Sequence, residues 1–292
     1  MPDPNAPLIL DSVTHLTAEH RGLSAHCASH GGIYAGYFAA RMGIGAVILN
    51  DAGIGREQAG LGGVALLGRL GVPAAAVSHR SARIGDGQDG HARGIISFAN
   101  AAAAKLGVRV GMSCRDALAR LDAATLAPAP EPPRQDEHRH EIADANMAGV
   151  KVIVMDSISL VKPEDAGQIA VTGSHGGILG GKPESAIKHP VFAVVCSDAD
   201  RGIDDAGISR LAALDPRGIA AACVSAFSAR IGDGQSIWDD GYVCALNDTA
   251  KKHGGAIGQH AKEFVAAMIQ ARVAEVRAAQ IRLERAKDKS SK

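Results

Sequence analysis

Apolar runs of strand length recur along the chain without alternating with polar residues. A continuous run of this kind is typical of a strand that is covered on both faces, as in a parallel sheet. Intervening stretches such as Ile33–Met42 and Gly60–Leu70 have helical character, so the order strand-helix-strand predicts an α/β fold with mainly parallel strands and right-handed crossovers. The predicted strands are Leu8–Leu10, Leu23–Ala28, Ala46–Leu49 and Pro73–Val77, then Val152–Met155, Ile169–Val171, Val191–Cys196 and Ile219–Val224.

The polar positions between these runs occur twice. The octapeptide Ser-Ala-Arg-Ile-Gly-Asp-Gly-Gln stands at 81–88 and again at 228–235. Ser29-His30-Gly31-Gly32 recurs 145 residues later as Ser174-His175-Gly176-Gly177, and Asp51 recurs 147 residues later as Asp198. We therefore predict a tandem duplication of one α/β unit, with the two halves related by an approximate two-fold axis.

The repeat pattern predicts four segments. They are a first α/β repeat at 1–125, a Pro-rich linker at 126–145, a second repeat at 146–258, and a C-terminal helix and tail at 259–292. Asn100 and Asn247 each precede a short helical stretch and are predicted to cap it. The tail has apolar residues from Phe264 to Val276 at helical spacing. That stripe needs a partner on the other half or on a second subunit, which predicts a homo-oligomer.

Composition and charge exclude several classes of function. Hydrophobic residues make up 46% and charged residues 21%, which is typical of a globular α/β protein. Lys plus Arg and Asp plus Glu both number 31, and no basic cluster precedes the tail, so we expect no nucleic-acid partner. The N-terminus resembles no signal peptide and no apolar stretch is long enough to span a bilayer, so we expect a cytoplasmic protein without a membrane partner.

Metal and cofactor sites are not predicted. The five cysteines are odd in number and lack Cys-x-x-Cys spacing, which argues against disulfides and a zinc ribbon and fits a reducing compartment. His138 and His140 could bind a metal, but the sequence offers them no further ligands, and a solvated linker accounts for them equally well. No phosphate-binding loop or dinucleotide fingerprint occurs, so no cofactor is expected.

Candidate functional residues follow the predicted strands, where open parallel sheets bind ligands. One candidate anion site is formed by Ser174, His175 and the backbone N–H groups of Gly176 and Gly177, which could bind a substrate anion and polarise it. His30 could do the same in the first half. The alternative is that both motifs are only tight strand-to-helix turns. Asp198 and Asp51 could orient a histidine or act as a base, or they could cap the next helix.

Two further features have both a chemical and a structural interpretation. Arg83 and Arg230, with Ser228 beside the second, could hold a substrate anion through the guanidinium fork, or each arginine could pair with the aspartate of its own octapeptide. Cys196 ends a buried run and could be a nucleophile with His175 as its base, although buried cysteines at such positions are often inert.

These residues support two hypotheses. The first is an enzyme, hydrolase-type rather than lyase-type, that acts on a small anionic metabolite at strand-end loops near the interface of the two repeats. In this hypothesis Ser174 and His175 bind and polarise the substrate, and Arg230 holds its anionic group. Asp198 orients His175 or acts as the base. The second is a non-catalytic protein that binds or senses a small anion. A His–carboxylate pair within hydrogen-bond reach that faces a pocket favours the enzyme, whereas donors alone favour the binder.

Overall fold

The computed structural model describes residues 7–290 and contains two sheets, each covered by helices. The first sheet has the strand order β1-β2-β3-β4-β5 and the second has the order β11-β10-β9-β8-β7-β6. We call the part that carries β1–β5 the first half and the part that carries β6–β11 the second half. The strands of the first half are β1 Ile9–Leu10, β2 Ser24–His30, β3 Ala46–Asn50, β4 Ala74–Val77 and β5 Ile96–Ala99. Those of the second half are β6 Arg139–Glu141, β7 Val152–Met155, β8 Ile169–His175, β9 Ala193–Ser197, β10 Ala220–Val224 and β11 Val243–Leu246.

Strand directions confirm the predicted α/β class with mostly parallel strands. In the first half β1 to β4 are parallel neighbours and β5 joins β4 antiparallel. In the second half β7 to β10 are parallel neighbours and β11 joins β10 antiparallel. Strand β6 has no counterpart in the first half; it lies within the segment predicted as a linker and pairs antiparallel with β7. All eight predicted strands are present, whereas β5, β6 and β11 were not predicted.

Helices connect the strands and cover the sheets. Asn100 and Asn247 cap α4 and α8 as predicted, because each side-chain oxygen accepts a hydrogen bond from the backbone N–H three residues later. The helices are α1 Ile33–Arg41, α2 Gly62–Arg69, α3 Gly87–Arg93, α4 Ala101–Lys105, α5 Cys114–Asp122, α6 Arg210–Leu214, α7 Gly234–Asp240, α8 Asp248–Lys252 and α9 Ala261–Ser290.

The C-terminal helix packs on the sheet of its own half. Phe264, Met268 and Val273 of α9 are buried in the same core cluster as Phe192 and Trp238. The stripe that motivated the homo-oligomer prediction is therefore covered within the chain, and not by the other half or a second subunit. The homo-oligomer stays a prediction without this support.

The two halves differ most after β2 and β8. The first half continues from β2 into the nine-residue helix α1. The second half instead follows β8 with an irregular segment that ends in a 3-10 turn at Pro183–Ala186. Arg210, the first residue of α6, is buried beneath this segment. Among residues 7–290, no helix combines the length and the hydrophobicity that a bilayer span requires.

Candidate functional site

The halves meet through strand-end loops that exchange backbone hydrogen bonds. The N–H of Arg56 in the first half donates to the carbonyl of Ala226 at 2.8 Å, and the N–H of Ile203 in the second half donates to the carbonyl of His79 at 2.8 Å. The N–H of Gly180 donates to the carbonyl of Gly85, also at 2.8 Å. These contacts bring the carboxyl ends of the parallel strands of both sheets together, so a site at this junction has walls from both halves.

A cavity of about 130 Å³ lies at the junction. A space of this size suits a small metabolite. Much of its wall consists of residues at matching positions in the two halves. These pairs are Ser12 and Ser157, Val13 and Ile158, Thr14 and Ser159, Ser29 and Ser174, and His30 and His175; Tyr34, Glu137, Asp156, Ser185 and Arg210 also line it.

His30 and His175 face each other across the cavity as neutral hydrogen-bond donors. Their ring centroids are 6.3 Å apart in an edge-on arrangement. Nδ1 of His30 accepts the N–H of Gly32 at 3.1 Å, and Nδ1 of His175 accepts the N–H of Gly177 at 3.1 Å. This hydrogen bond assigns the proton of each neutral ring to Nε2. Each neutral ring therefore carries its N–H at Nε2, and both histidines line the cavity.

Burial keeps both imidazoles uncharged at neutral pH. It lowers the pKa of His30 to about 4. It also lowers the pKa of His175 well below the ordinary value, and the nearby charge of Arg210 lowers it further. A neutral Nε2–H donor polarises a carbonyl oxygen or stabilises an oxyanion without adding a full charge.

Arg210 is a buried cation without a carboxylate partner in the described chain. The residue is 3% exposed and lines the cavity. Its Nη2 donates to the carbonyl of Gly177 at 2.7 Å, whereas Nε is buried with no hydrogen-bond partner among residues 7–290. Burial lowers the pKa of Arg210, and no carboxylate is among the groups that oppose this effect. A buried guanidinium of this kind is costly unless an anion pairs with it.

The serines and glycines of the two Ser-His-Gly-Gly motifs shape the loops that hold the histidines. Oγ of Ser29 accepts the N–H of Val13 at 2.9 Å, and Oγ of Ser174 accepts the N–H of Ile158 at 2.9 Å. At Gly176 a Cβ would collide with the sulfur of Cys223 and the carbonyl of Gly207. The N–H of Gly177 donates to His175 Nδ1, so it orients the ring.

Asp51 and Asp198 organise the loops after β3 and β9. Oδ1 of Asp198 accepts the N–H of Ala226 at 2.7 Å and that of Asp200 at 2.9 Å, and Oδ2 accepts the thiol of Cys244 at 3.1 Å. Asp51 accepts the N–H of His79 at 2.9 Å in the same way. The hydrogen bonds described for Asp198 do not include His175, and neither aspartate is part of the cavity wall.

Cys196 lies in the core beneath the second sheet. It is 1% exposed, and its sulfur lies 3.5 Å from Oγ1 of Thr172. Burial raises the pKa of the Cys196 thiol, which opposes formation of the nucleophilic thiolate. The cavity wall does not include this residue.

The arginines of the octapeptides bind carboxylates at the junction of the halves. Arg230 Nε and Nη2 lie 3.1 and 2.9 Å from Oδ2 of Asp233, and Nη1 lies 3.2 Å from Oε2 of Glu57 in the other half. Arg83 Nε and Nη2 lie 3.0 and 2.9 Å from Oδ2 of Asp204, again in the other half. Asp86 and Asp233 also cap α3 and α7. The carbonyl of Ser228 accepts Arg56 Nη1 at 2.6 Å.

Arg230→Lys is expected to lower the melting temperature by about 1–3 °C and to leave anion binding in the cavity unchanged. The ammonium loses one of the two bonds that Nε and Nη2 make to Oδ2 of Asp233, but an exposed pair contributes only about 0–1 kcal/mol. Thermal unfolding and calorimetric titration with pyruvate measure the two effects. A lower affinity for pyruvate with an unchanged melting temperature would contradict this expectation and would indicate that Arg230 binds the anion.

The sequence analysis missed Arg210 and Glu137 as cavity residues. Position 210 matches Gly63 of the first half, so a search for shared polar residues passes over it. Glu137 lies in the segment predicted as a linker. Among the residues of the described chain, no group of three or more His, Cys, Asp or Glu side chains is placed to hold a metal ion. The arrangement is suited to binding and polarising a small anion.

Comparison of the chain with protein-family models, with curated proteins and with solved structures finds no match.

Proposed function

We propose that this chain is a hydrolase-type enzyme that acts on a small anionic metabolite in the cavity between its halves. The observation that carries the proposal is the buried Arg210 guanidinium, which lines the cavity and has no carboxylate partner in the described chain. A carboxylate or similar group of the substrate would supply the missing charge.

His30 and His175 supply the second part of the proposal. Both histidines line the same cavity from opposite halves, and in the proposed arrangement one oxygen of the substrate accepts both Nε2–H groups. Donors fixed in advance stabilise negative charge as it develops on a carbonyl oxygen, and one such donor contributes about 100- to 1,000-fold to the rate. Hydrolysis and elimination both develop this charge. The small, hydroxyl-lined cavity favours a small substrate in either case.

The duplication supports a composite site. The same strand order in both sheets and the reciprocal hydrogen bonds of Arg56 and Ile203 support two repeats related by an approximate two-fold axis. Superposition of residues 8–107 on 153–254 tests this relation, and a rotation far from a half-turn would contradict it. Within such a pair, Arg210 makes the cavity asymmetric and fixes the direction in which a substrate binds.

The enzyme proposal predicts turnover that depends on the Nε2–H of His175. We expect the protein to release product from small carboxylates that carry an amide or ester bond, measured by proton NMR. His175→Phe is expected to lower kcat/KM by about 100-fold or more, because it removes one oxyanion donor. His175→Gln is expected to retain more activity, since its amide nitrogen lies near the position of Nε2.

The alternative is a non-catalytic protein that binds a small anion at the same residues. It predicts that calorimetry detects anion binding that depends on Arg210, with no turnover of any compound in the panel. Equal activity of His175→Phe and the unmodified protein would contradict the role of the histidines in catalysis.

A further inference from the structure

The cavity is lined both by hydrogen-bond donors and by carboxylates. We call His30, His175 and Arg210 the donor wall, and Glu137 and Asp156 the acceptor wall; all five line the same cavity. A ligand that is only an anion would use the donor wall and would meet repulsion from the acceptor wall. The ligand should therefore carry a hydrogen-bond donor next to its anionic group.

Asp156 has little capacity left for a ligand. Its Oδ1 accepts the N–H of Gly234 at 3.0 Å. Its Oδ2 accepts the backbone N–H of His138 at 2.8 Å and lies 3.0 Å from Nδ1 of the same residue. A carboxylate offers about four acceptor positions, so these three contacts occupy most of them.

Glu137 has acceptor capacity and faces the cavity. It is half-buried, and Tyr34 is the neighbour in the described chain that donates a hydrogen bond to its carboxyl group. Burial raises the pKa of Glu137, the hydrogen bond from Tyr34 opposes that rise, and the charge of Asp156 adds to it. Tyr34 occupies one of about four acceptor positions, which leaves lone pairs of Glu137 for a ligand.

We propose that Glu137 selects, among small carboxylates, those that carry an N–H donor adjacent to the carboxylate, such as amide or ureido carboxylates. In this arrangement the carboxylate binds Arg210, a carbonyl oxygen lies between His30 and His175, and the N–H donates to Glu137. The inference rests on the anion site of the proposed function and adds the substrate class to it.

Three isosteric anions test the inference on the full-length protein. Oxamate, pyruvate and oxalate all place a carbonyl carbon beside a carboxylate, and they differ in the group on that carbon: an amide NH2, a methyl, or the oxygen anion that makes it a second carboxylate. We expect calorimetry to give oxamate about tenfold higher affinity than pyruvate, because its N–H bonds to a charged acceptor. Oxalate should bind most weakly, because its second carboxylate faces Glu137.

Glu137→Gln changes this order in a direction that a merely structural role would not produce. The side-chain amide of the variant can donate a hydrogen bond to oxalate, so we expect the affinity for oxalate to rise about tenfold. The preference for oxamate over pyruvate should shrink. Glu131→Gln is the matched control, because Glu131 is exposed and does not line the cavity; it should leave all three affinities unchanged.

The outcomes separate this inference from the function on which it rests. Equal affinity for oxamate and pyruvate in the unmodified protein, or an unchanged order in Glu137→Gln, would overturn the role of Glu137 and leave the anion site intact. Absence of binding for all three anions would overturn both.

Discussion

Arg210→Met is expected to unfold at a higher temperature than the unmodified protein when no anion is present, and to lose anion binding. The methionine fills a similar volume and removes a buried charge that has no carboxylate partner in the described chain. Replacing buried ionic groups by apolar ones can stabilise a protein by about 1–4 kcal/mol. In a chain of this size, 1 kcal/mol corresponds to about 2–4 °C in Tm. The lost hydrogen bond to Gly177 partly opposes the gain, so we expect a rise of a few degrees.

The same variant, Arg210→Met, should bind anions more weakly although it melts at a higher temperature. Loss of a buried charged partner costs about 2–5 kcal/mol, so affinity for oxamate or pyruvate should fall by at least ~30-fold. Differential scanning calorimetry and isothermal titration measure the two effects. Arg217→Met is the control, because Arg217 donates to the carbonyl of Ile187 outside the cavity. A lower melting temperature with unchanged affinity would show that Arg210 is structural.

His79→Ala is expected to destabilise the fold by about 2–3 kcal/mol at pH 6, because His79 connects carboxylates of both halves. Its Nδ1 lies 2.8 Å from Oδ1 of Asp51, and its Nε2 lies 2.9 Å from Oδ2 of Asp200. Burial alone would lower the pKa of His79, but the hydrogen bonds and charges of these aspartates raise it above its usual value. Ala226 occupies the matching position of the second half, so the backbone accepts alanine there.

The pH dependence of this effect has a definite sign. Because the pKa of His79 is higher in the folded state than the ordinary 6.5, its contribution is fully present below pH 6.5. The contribution is then lost as the pH rises through the folded-state pKa. Chemical denaturation from pH 5 to 9 should therefore show the difference between His79→Ala and the unmodified protein shrinking at high pH. A double-mutant cycle with Asp200→Asn isolates the contact between the halves; additive effects would contradict it.

Prediction of the fold from the sequence succeeded where hydrophobic runs are long. Strands buried on both faces, such as β3 and β9, give continuous apolar runs that have few other interpretations. Strands β5 and β11 pair antiparallel at an edge and are only partly buried, so their sequences alternate and resemble loops. Strand β6 consists of Arg139, His140 and Glu141, whose polar side chains give no strand pattern.

For residues that the two halves share, the sequence pattern indicated some that lie at the junction of the halves. The repeated Ser-His-Gly-Gly pattern identified His30 and His175, which the structure places in one cavity. The repeat could not indicate which shared residues face a ligand: the octapeptide is also shared, but its arginines bind carboxylates across the junction. Arg210 and Glu137 have no equivalent residue in the other half, so the repeat does not point to them. Their place in the cavity depends on how the halves pack together, which a sequence pattern does not encode.

The loops that join the halves contain non-glycine residues in the left-handed region of backbone space. Ala52 and Ile54 have φ of 48° and 63°, and Ala199 and Asp200 have φ of 49° and 57°. Such conformations cost about 1–3 kcal/mol each and persist only where surrounding contacts fix them. Here the contacts include carbonyl groups of the opposite half. Each of these loops therefore takes part of its support from the other half, through the bonds of Arg56 to Ala226 and of Ile203 to His79, so we expect the two sheets to unfold together and the cavity to be lost with the junction.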